Sequence, residues 1–599
     1  MTDKFMSMKN LQFSLHSTVA AMDTAHLEAL NGHDKKSMDM VLSAALDFAQ
    51  KEMHPIFEEM DRIPPTLLEG KVQVHPAVRS ILKTLGDDGW IFAVFPETWD
   101  GDDMPATLLH CINFIFAAAN YSASAYSGLT IGAARLILTF GSRALQDIYL
   151  PPMLAGKWQG TMALTEPDAG SSLGDLSTMA EPLDQGVYAI SGEKVFISAG
   201  DHDAVDNVVH LMLARIKGAP PGPKGISLFV VPKLRPDDQG ELVDNDVTVT
   251  QIFHKLGYRG TPITGIRLGE KGNCRGYLVG EPHRGLFSMF KMMNSARLEV
   301  GMGATAIATA AYHAALDYCQ TRKQGRAITG PRDAPQCAII QHPDVKRMLL
   351  FQRAISEGAL SLILQCGVWE DILERYPHEK KYHLLLELLT PVAKSFPSEM
   401  GIHSVSQGLQ CFGGYGYCED FPVEQHFRDM RIHPIHEGTT GIQAMDLLGR
   451  KVVMENGKAL QLLKEEMDAC MEKAGKHKAL ESMARDLAAA IVVLEKTTLA
   501  LGTLAMEKGA EAYLADATLY LEMFGNIVIA WQWLAMAAAA STALETGAGK
   551  KSDGLFYEGK IHVARYYFSH ELPKMNALSH ILINSDGVTL DMPENCFTG

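Results

Sequence analysis

The segment His433-Pro-Ile-His-Glu-Gly places one carboxylate, Glu437, directly after two histidines and before a glycine. Two imidazoles and a carboxylate could bind a metal ion. The order of the segment is not the helical HExxH spacing of zinc sites, and Pro434 keeps His433 out of a regular helix. We therefore interpret Glu437 as a positioned carboxylate, with metal binding as the alternative, and we expect no metal.

Two further segments have residue types that suit a planar or phosphorylated ligand. Residues 165–172 read TEPDAGSS, in which small side chains, hydroxyls and glycine let backbone N–H groups approach a phosphate or a flat ring. Residues 192–200 read GEKVFISAG, and on a strand Phe196 and Ser198 share a face, where they could stack on and hydrogen-bond to a planar cofactor. The structural alternatives are an ordinary polar turn and core packing of Phe196.

Residues 301–306, GMGATA, match a loose dinucleotide-binding pattern. That pattern requires a strand before the glycines and a helix after them. Here both flanks have the composition of helices, so we interpret the glycines as positions of close helix packing.

The elements around these segments follow the order helices, strands and then helices. Helical apolar spacing in MDMVLSAALDFAQKEMHPIFEEMDR gives way near Gly160 to short runs rich in Val, Ile and aromatic residues. These runs predict antiparallel strands. The pattern becomes helical again from Gly285. Because strands and helices do not alternate, neither a Rossmann fold nor an α/β barrel is expected.

A length of 599 residues corresponds to about four domains at roughly 150 residues each. We predict an N-terminal helical domain at residues 1–159 and a β domain at residues 160–280. A helical bundle domain with Glu437 follows at residues 281–450, and an extra C-terminal helical domain at residues 451–599.

The composition is that of a globular protein, and it limits the classes of partner. The 54 Lys and Arg against 70 Asp and Glu give a net charge of −16, which argues against nucleic acid. Nine scattered cysteines without metal spacing indicate free thiols in a reducing cytoplasm. The first residues lack the apolar core of a signal peptide. The uncharged run Phe524–Leu544 could span a bilayer by length, but Asn526, Gln532 and many alanines favour a buried helix.

The ordered motifs together resemble the acyl-CoA dehydrogenase family from about residue 80 to residue 450. MALTEPDAGSS is similar to the first flavin-binding segment of that family, EKVFIS to the second, and KLGYRGTPIT to the end of its β domain. RKQG, QCFGGYGY, VEQHFRDMRI and IHEGTTGIQ are similar to its later signatures. The length and the extra C-terminal region resemble a long subfamily. The resemblance implies a mostly α fold with a central β domain, and FAD as the cofactor.

The resemblance also assigns residues to the flavin and to the substrate. The family's aromatic residue beside the flavin ring is usually Trp, here Phe196, and the hydroxyl near flavin N5 is usually Thr, here Ser198. The residues implied in FAD binding are Met162, Leu164, Thr165, Ser171, Phe196, Ile197, Ser198, Arg322, Gln324, Gln410, Gly413, Gly414 and Thr439. Those implied in substrate binding are Ser171, Asn294, Arg297 and Gly438. Arg322, Gln324 and the 410–414 segment would serve the FAD of a neighbouring subunit, and Gln324 stands where the family usually has Phe.

The family base occupies the Glu437 position, in a motif where His436 replaces the usual Tyr. The alternative position for a base in this family is Ala296 here, which leaves Glu437 without a rival. A carboxylate in a dry site can remove the weakly acidic α-proton of a thioester. Backbone N–H groups stabilise the developing enolate, and the β-hydrogen leaves as hydride to the flavin.

The predicted function is therefore the FAD-dependent conversion of an acyl-CoA to a trans-2-enoyl-CoA. A short-chain or sulfur-bearing acyl group, such as 3-methylmercaptopropionyl, is the leading substrate, and a medium or long straight chain is the alternative. A silent flavin-binding partner protein and an acyl-CoA oxidase are the alternatives of other kinds. The expected partners are an electron-transferring flavoprotein and further copies of the chain in a homodimer or tetramer, without a transmembrane span.

Overall fold

The N-terminal region consists of helices and one short hairpin. The structure, a computed structural model, describes residues 5–19, 30, 32–184, 186–237, 239–331, 333–547 and 551–598. The described helices of this region are α1 (Met8–Phe13), α2 (Lys35–Phe48), α3 (Phe57–Arg62), α4 (Ala77–Asp87), α5 (Ala106–Phe140) and α6 (Arg143–Leu154). The hairpin pairs β1 (Thr66–Leu68) with β2 (Lys71–Gln73).

The segment rich in Val, Ile and aromatic residues forms one sheet of eight strands. Its strands are β3 (Trp158–Ala163), β4 (Met179–Pro182), β5 (Val187–Ser198), β6 (Asn207–Ile216), β7 (Ile226–Pro232), β10 (Val247–Ile252), β11 (Ile263–Leu268) and β12 (Arg275–Val279), with a separate hairpin of β8 (Leu234–Pro236) and β9 (Leu242–Asp244). The strand order is β10-β11-β5-β12-β7-β6-β3, and β4 pairs with both β5 and β6. Strands β6 and β7 are buried along almost their whole length.

Most neighbouring strands of this sheet are antiparallel, as the sequence predicts. Strands β3 and β4, however, each pair with β6 in parallel. A parallel pair requires a longer connection than a hairpin does. The connection from β3 to β6 contains both candidate ligand segments, residues 165–172 and residues 192–200.

Long helices follow the sheet and hold Glu437. They are α7 (Gly285–Thr321), α8 (Pro343–Arg375), α9 (Lys380–Phe412), α10 (Val423–Met430) and α11 (Thr440–Asp446). Helices α7 and α9 approach closely at Gly301, where an added Cβ would lie 2.1 Å from the carbonyl oxygen of Ala393. Gly301 lies within α7 and serves helix packing, so the dinucleotide alternative does not fit this segment.

The C-terminal region is helical and is built around one long apolar helix. The described helices are α12 (Lys458–Ala474), α13 (Glu481–Leu514), α14 (Ala517–Glu545), α15 (Lys551–Tyr566), α16 (Lys574–Ile583) and α17 (Val588–Asp591). Two polar side chains of α14 form hydrogen bonds inside the core: Ser361 donates to the side chain of Gln532 at 2.6 Å, and Trp533 donates to the carbonyl of Ala354 at 2.8 Å.

Two helical stretches among the described residues have the length and composition of a membrane span. Lys478–Leu514 is 33% buried over its most apolar window, and Ala517–Glu545, which contains the uncharged run, is 72% buried. The second is thus packed as a core helix. By its internal packing the chain divides into two compact units, residues 40–296 and residues 1–39 together with 297–599.

Candidate active site

Glu437 lies in the turn between α10 and α11 and has a strained backbone. Its φ is +52°, a left-handed conformation that is costly for a residue with a side chain, and Gly438 follows with φ +91°. The amide of Thr440 donates to the carbonyl of Pro434 at 3.0 Å, and the side chain of Gln443 donates to the carbonyl of Glu437 at 3.2 Å. These bonds hold the strained turn, and such held strain is typical of functional sites.

The environment of the Glu437 carboxyl group combines crowding with positive charge. Burial among protein atoms raises the pKa of Glu437, and the charges of Arg297 and Lys394 partly oppose that rise. Glu437 is nevertheless exposed to solvent. Its pKa is therefore raised by the protein atoms packed around it and not by complete exclusion of water. A carboxylate with a raised pKa is a better proton acceptor than an ordinary one.

The two histidines that precede Glu437 are uncharged. Burial lowers the pKa of His433 to about 3 and lowers that of His436 well below its usual value. His433 Nδ1 donates to the carbonyl of Met430 at 3.1 Å, and the two rings meet edge to face with centroids 5.3 Å apart. Among the residues that the structure describes, no three His, Cys, Asp or Glu side chains are grouped to hold a metal ion.

Arg297 is buried on α7 and pairs with a carboxylate of α11. Its Nη1 lies 3.4 Å from Oδ2 of Asp446, and the other oxygen of that carboxylate, Oδ1, lies 2.7 Å from Nε of Arg450. The charge of Arg297 acts on Glu437 as well. Arg297 therefore stands beside the turn of the predicted base, and its contact with CoA stays a prediction. Asn294, half-buried on α7, likewise stays a predicted substrate contact.

In the β-rich unit, the two predicted flavin segments are joined directly. Met162 is the second-last residue of β3, where it pairs with Leu211, and Leu164 and Thr165 follow the strand. The amide of Val195 donates to the carbonyl of Thr165 at 3.0 Å, and the ammonium of Lys194 donates to the carbonyl of Leu164 at 3.0 Å. Hydrogen bonds therefore hold the two segments side by side.

A buried ion pair strengthens this junction. Lys194 Nζ lies 2.8 Å from Oε1 of Glu166, and both side chains are fully buried. The other oxygen of Glu166 accepts bonds from the amide and the hydroxyl of Ser177 at 2.6 and 2.7 Å, and Thr178 donates its amide to Oε1 at 3.0 Å. Every oxygen of this carboxylate is thus occupied, as a stable buried charge requires.

Phe196 sits in a β-bulge. Val195 and Phe196 together oppose the single residue Gly265 of β11, and φ of Phe196 is +59°. The bulge leaves the Phe196 side chain 60% exposed, while its neighbour Ile197 is 2% exposed. Ser198, two residues further along β5, is half-buried. Bulges and strained residues of this kind redirect side chains next to functional sites.

The segments predicted to reach a neighbouring subunit are brought together at the ends of α7 and α9. Tyr318 of α7 stacks on Phe412 of α9 with ring centroids 4.2 Å apart. Arg322 and Gln324 follow Tyr318 in the sequence, and Gln410, Gly413 and Gly414 flank Phe412 in the sequence. All five residues are exposed.

The remaining predicted positions also have defined places. Thr439 is the residue before α11 and is half-buried, and Ser171 is exposed in the loop after β3. Sequence reasoning missed three buried charges, Glu166, Lys194 and Lys394. The first two lie inside the recognised segments, where their polarity gave a signal. Lys394 is one of several polar residues of α9, among them Glu387 and Glu399, so its sequence context did not single it out.

Comparisons with known proteins agree with this architecture along the whole chain. Four family models match consecutive segments: the acyl-CoA dehydrogenase N-terminal domain at residues 35–157, its middle domain at 161–270, its C-terminal domain at 283–452, and an acetyl-CoA dehydrogenase C-terminal-like domain at 463–593. The chain belongs to the acyl-CoA dehydrogenase family.

Similar proteins in this family include characterised enzymes. A 3-methylmercaptopropionyl-CoA dehydrogenase of Ruegeria pomeroyi is 37% identical over 94% of this chain and 95% of its own length. A butyryl-CoA dehydrogenase of Syntrophomonas wolfei is 34% identical over 78% of each chain. An acyl-CoA dehydrogenase from Bacillus anthracis, solved in complex with FAD, has a similar fold with a TM-score of 0.73 at 19% identity, covering 95% of this chain and 90% of that one.

These matches confirm the predicted family, the predicted fold class and the prediction of an FAD-dependent acyl-CoA dehydrogenase. The residues assigned to the base, the cofactor and the substrate stay predictions, as do the predicted domain limits.

Proposed function

We propose that this enzyme uses Glu437 to remove the α-proton of an acyl-CoA thioester, which is thereby converted to a trans-2-enoyl-CoA. The observation that carries this proposal is the strained turn, in which a carboxyl group with a raised pKa is fixed beside Arg297 and Lys394. The lowered pKa values of His433 and His436 make these imidazoles weak proton acceptors, which leaves Glu437 as the group of this turn suited to accept the proton.

FAD is held by the β-rich unit of the chain in this proposal. Phe196 is 60% exposed and its ring lies against that of Phe253, with centroids 4.5 Å apart. This aromatic pair offers an apolar surface to a planar ring, and the nearby Ser198 offers a hydroxyl donor, which supports the fit. Met162, Leu164, Thr165 and Ile197 would hold the flavin, and Ser171 would contact the pyrophosphate and CoA. Bound FAD supplies the acceptor for the hydride that leaves the β-carbon.

A second set of FAD contacts comes from another copy of the chain. Gly413 and Gly414 have no atom within 4 Å of an added Cβ, so their backbone is open to a ligand. Exposed Arg322 supplies a cation for a phosphate, and Gln324 and Gln410 supply polar contacts. Thr439, which is not assigned to the neighbouring copy, would lie near the phosphates or the adenosine of FAD. The functional assembly in this proposal is therefore a homodimer or a tetramer. The proposal also places it in the cytoplasm, soluble and without a transmembrane span.

The substrate in this proposal is a short-chain or sulfur-bearing acyl-CoA, with 3-methylmercaptopropionyl-CoA first. The similarity to a 3-methylmercaptopropionyl-CoA dehydrogenase and to a butyryl-CoA dehydrogenase supports it. Asn294, Arg297 and the backbone of Gly438 would contact the substrate. Electrons leave the reduced enzyme to an electron-transferring flavoprotein.

One assay tests the activity and its alternatives. Purified holoenzyme is mixed without oxygen with CoA esters of 3-methylmercaptopropionate, butyrate, octanoate and palmitate, and flavin absorbance and enoyl-CoA are measured. Bleaching with the first two esters is expected. Bleaching only with the longer esters contradicts the proposed substrate class, and no bleaching with any ester favours a silent flavin-binding protein. A dye acceptor and a peroxide assay then separate a dehydrogenase from an oxidase.

A further inference from the structure

Lys394 is a buried lysine of α9 that faces the turn of the predicted base. Its side chain has no exposed surface. Its ammonium donates to the carbonyl oxygen of His433 at 2.6 Å. Charged side chains are seldom fully buried unless they are paired. The bond of Lys394 is made to a residue four positions before Glu437, in the same turn.

The close packing of α7 and α9 determines where Lys394 lies. An added Cβ at Gly301 would approach the Cα of Lys394 to 3.3 Å, so only glycine lets the helices meet here. Arg297 stands one turn before Gly301 on α7. The same contact between helices therefore brings two cations to the turn, one from each helix.

The turn is also held from α9 by a carboxylate. The hydroxyl of Thr440 donates to Oε1 of Glu399, five residues after Lys394 on the same helix. The two α9 side chains thus hold the turn at both ends, one at the His433 carbonyl and one just after Gly438.

We propose that Lys394 is a positioning residue for Glu437, which fixes the start of the turn through the His433 carbonyl and stabilises the carboxylate form of Glu437 through its charge. This inference rests on the proposed role of Glu437 as the base. The role needs no contact between Lys394 and the substrate.

The charges around the two groups agree with this role. Burial lowers the pKa of Lys394 to about 8, and Glu437 and Glu399 oppose that effect while Arg297 adds to it. Lys394 in turn opposes the raised pKa of Glu437. The other titratable groups of the turn, His433 and His436, are neutral. Loss of the Lys394 charge should therefore raise the pKa of Glu437 further.

Three variants separate the charge from the hydrogen bond. Lys394→Gln removes the charge and keeps a donor, Lys394→Met removes both, and Lys394→Arg keeps the charge. Lys560→Met is the matched control, because Lys560 is also fully buried, also has a pKa lowered to about 8 by burial, and pairs with Glu357 away from the turn.

The measurement is the rate of flavin reduction by the best acyl-CoA from pH 5 to pH 9, with FAD content and thermal stability recorded for each variant. In Lys394→Gln and Lys394→Met the acid-side midpoint should rise by on the order of one pH unit. The rate below the wild-type midpoint should then fall about tenfold. Lys394→Arg and Lys560→Met should keep the wild-type midpoint. If Lys394→Met does not fold, Lys394→Gln carries the test.

An unmoved midpoint in Lys394→Gln, with a Glu437→Gln variant that cannot reduce its flavin, overturns the role of Lys394 and leaves the proposed function in place. A lower rate at every pH without a shift also overturns it, because that result indicates a structural role only. Normal flavin reduction by Glu437→Gln would overturn the proposed base and this inference together.

Discussion

Lys194 and Glu166 form a fully buried ion pair, with Nζ and Oε1 2.8 Å apart, where the two predicted flavin segments meet. Removing one partner leaves the other charged and uncompensated in the core, which typically costs about 3–5 kcal/mol. We predict that Lys194→Met lowers the free energy of unfolding by about this amount and reduces FAD content. Urea unfolding measures the first and absorbance the second.

The control for this pair is Lys217→Met. Lys217 and Glu181 also form an ion pair of the β-rich unit, at 2.6 Å, but both side chains are more than half exposed. The change there should stay within about 1 kcal/mol. Equal effects of the two substitutions would contradict a special role for the buried pair.

The Glu166 carboxylate also predicts how the free energy of unfolding depends on pH in the acid range. Burial opposes the ionised form of Glu166, but Lys194 and the bonds from Thr178 and Ser177 prevail and lower its pKa from 4.5 to about 2. A lowered pKa in the folded state contributes stability above pH 4.5 that is lost as the pH falls toward 2. Unfolding monitored by circular dichroism should show that Glu166→Gln, already destabilised at pH 7, loses less further stability across this range than wild type. An identical acid dependence of the two proteins would contradict the assignment.

Phe196 should matter for FAD and little for folding. Its side chain is 60% exposed, so Phe196→Ala removes little buried surface. Loss of ring stacking should weaken FAD binding by about 1 kcal/mol, or roughly fivefold. Flavin fluorescence during reconstitution of the apoprotein measures this. Leu242→Ala, at a residue 39% exposed in the same unit, is the control and should bind FAD normally. Unchanged FAD affinity in Phe196→Ala would remove this residue from the cofactor site.

Arg322 should hold FAD across a subunit contact. The side chain is exposed after the end of α7, so Arg322→Ala should leave thermal stability of the apoprotein unchanged. Loss of a charged hydrogen bond to a phosphate should weaken FAD retention about tenfold or more. Lys323→Ala, its exposed neighbour, is the control. Gel filtration with absorbance and light-scattering detectors measures FAD content and molecular mass together. A fully active, FAD-loaded monomer would contradict the shared site.

Features that depend on residues close together in the sequence were predicted from it. Features that depend on contacts between distant residues were not. The order of helices and strands follows from apolar spacing, and EKVFIS forms part of a strand as its residue types indicate. The bulge at Phe196 depends on Gly265 of another strand, so the alternating pattern could not predict it. The parallel pairing of β3 with β6 is likewise a property of the assembled sheet.

In the candidate site, too, some features could be predicted from the sequence and others could not. IHEGTTGIQ was enough to select Glu437. Its positive φ, however, is imposed by contacts of the surrounding turn, and the pairing of Arg297 with Asp446 joins residues 149 positions apart. Lys394 could not be selected, because the importance of a buried lysine depends on what the fold places beside it.

The most direct test of the proposed function is Glu437→Gln. The substitution keeps the shape of the side chain and removes the proton acceptor. FAD content and thermal stability should barely change, and acyl-CoA should still shift the flavin spectrum on binding. The rate of flavin reduction, measured by stopped-flow absorbance with the best substrate, should fall by a factor on the order of 10² to 10⁴. Reduction at a rate near that of wild type would show that Glu437 is not the base.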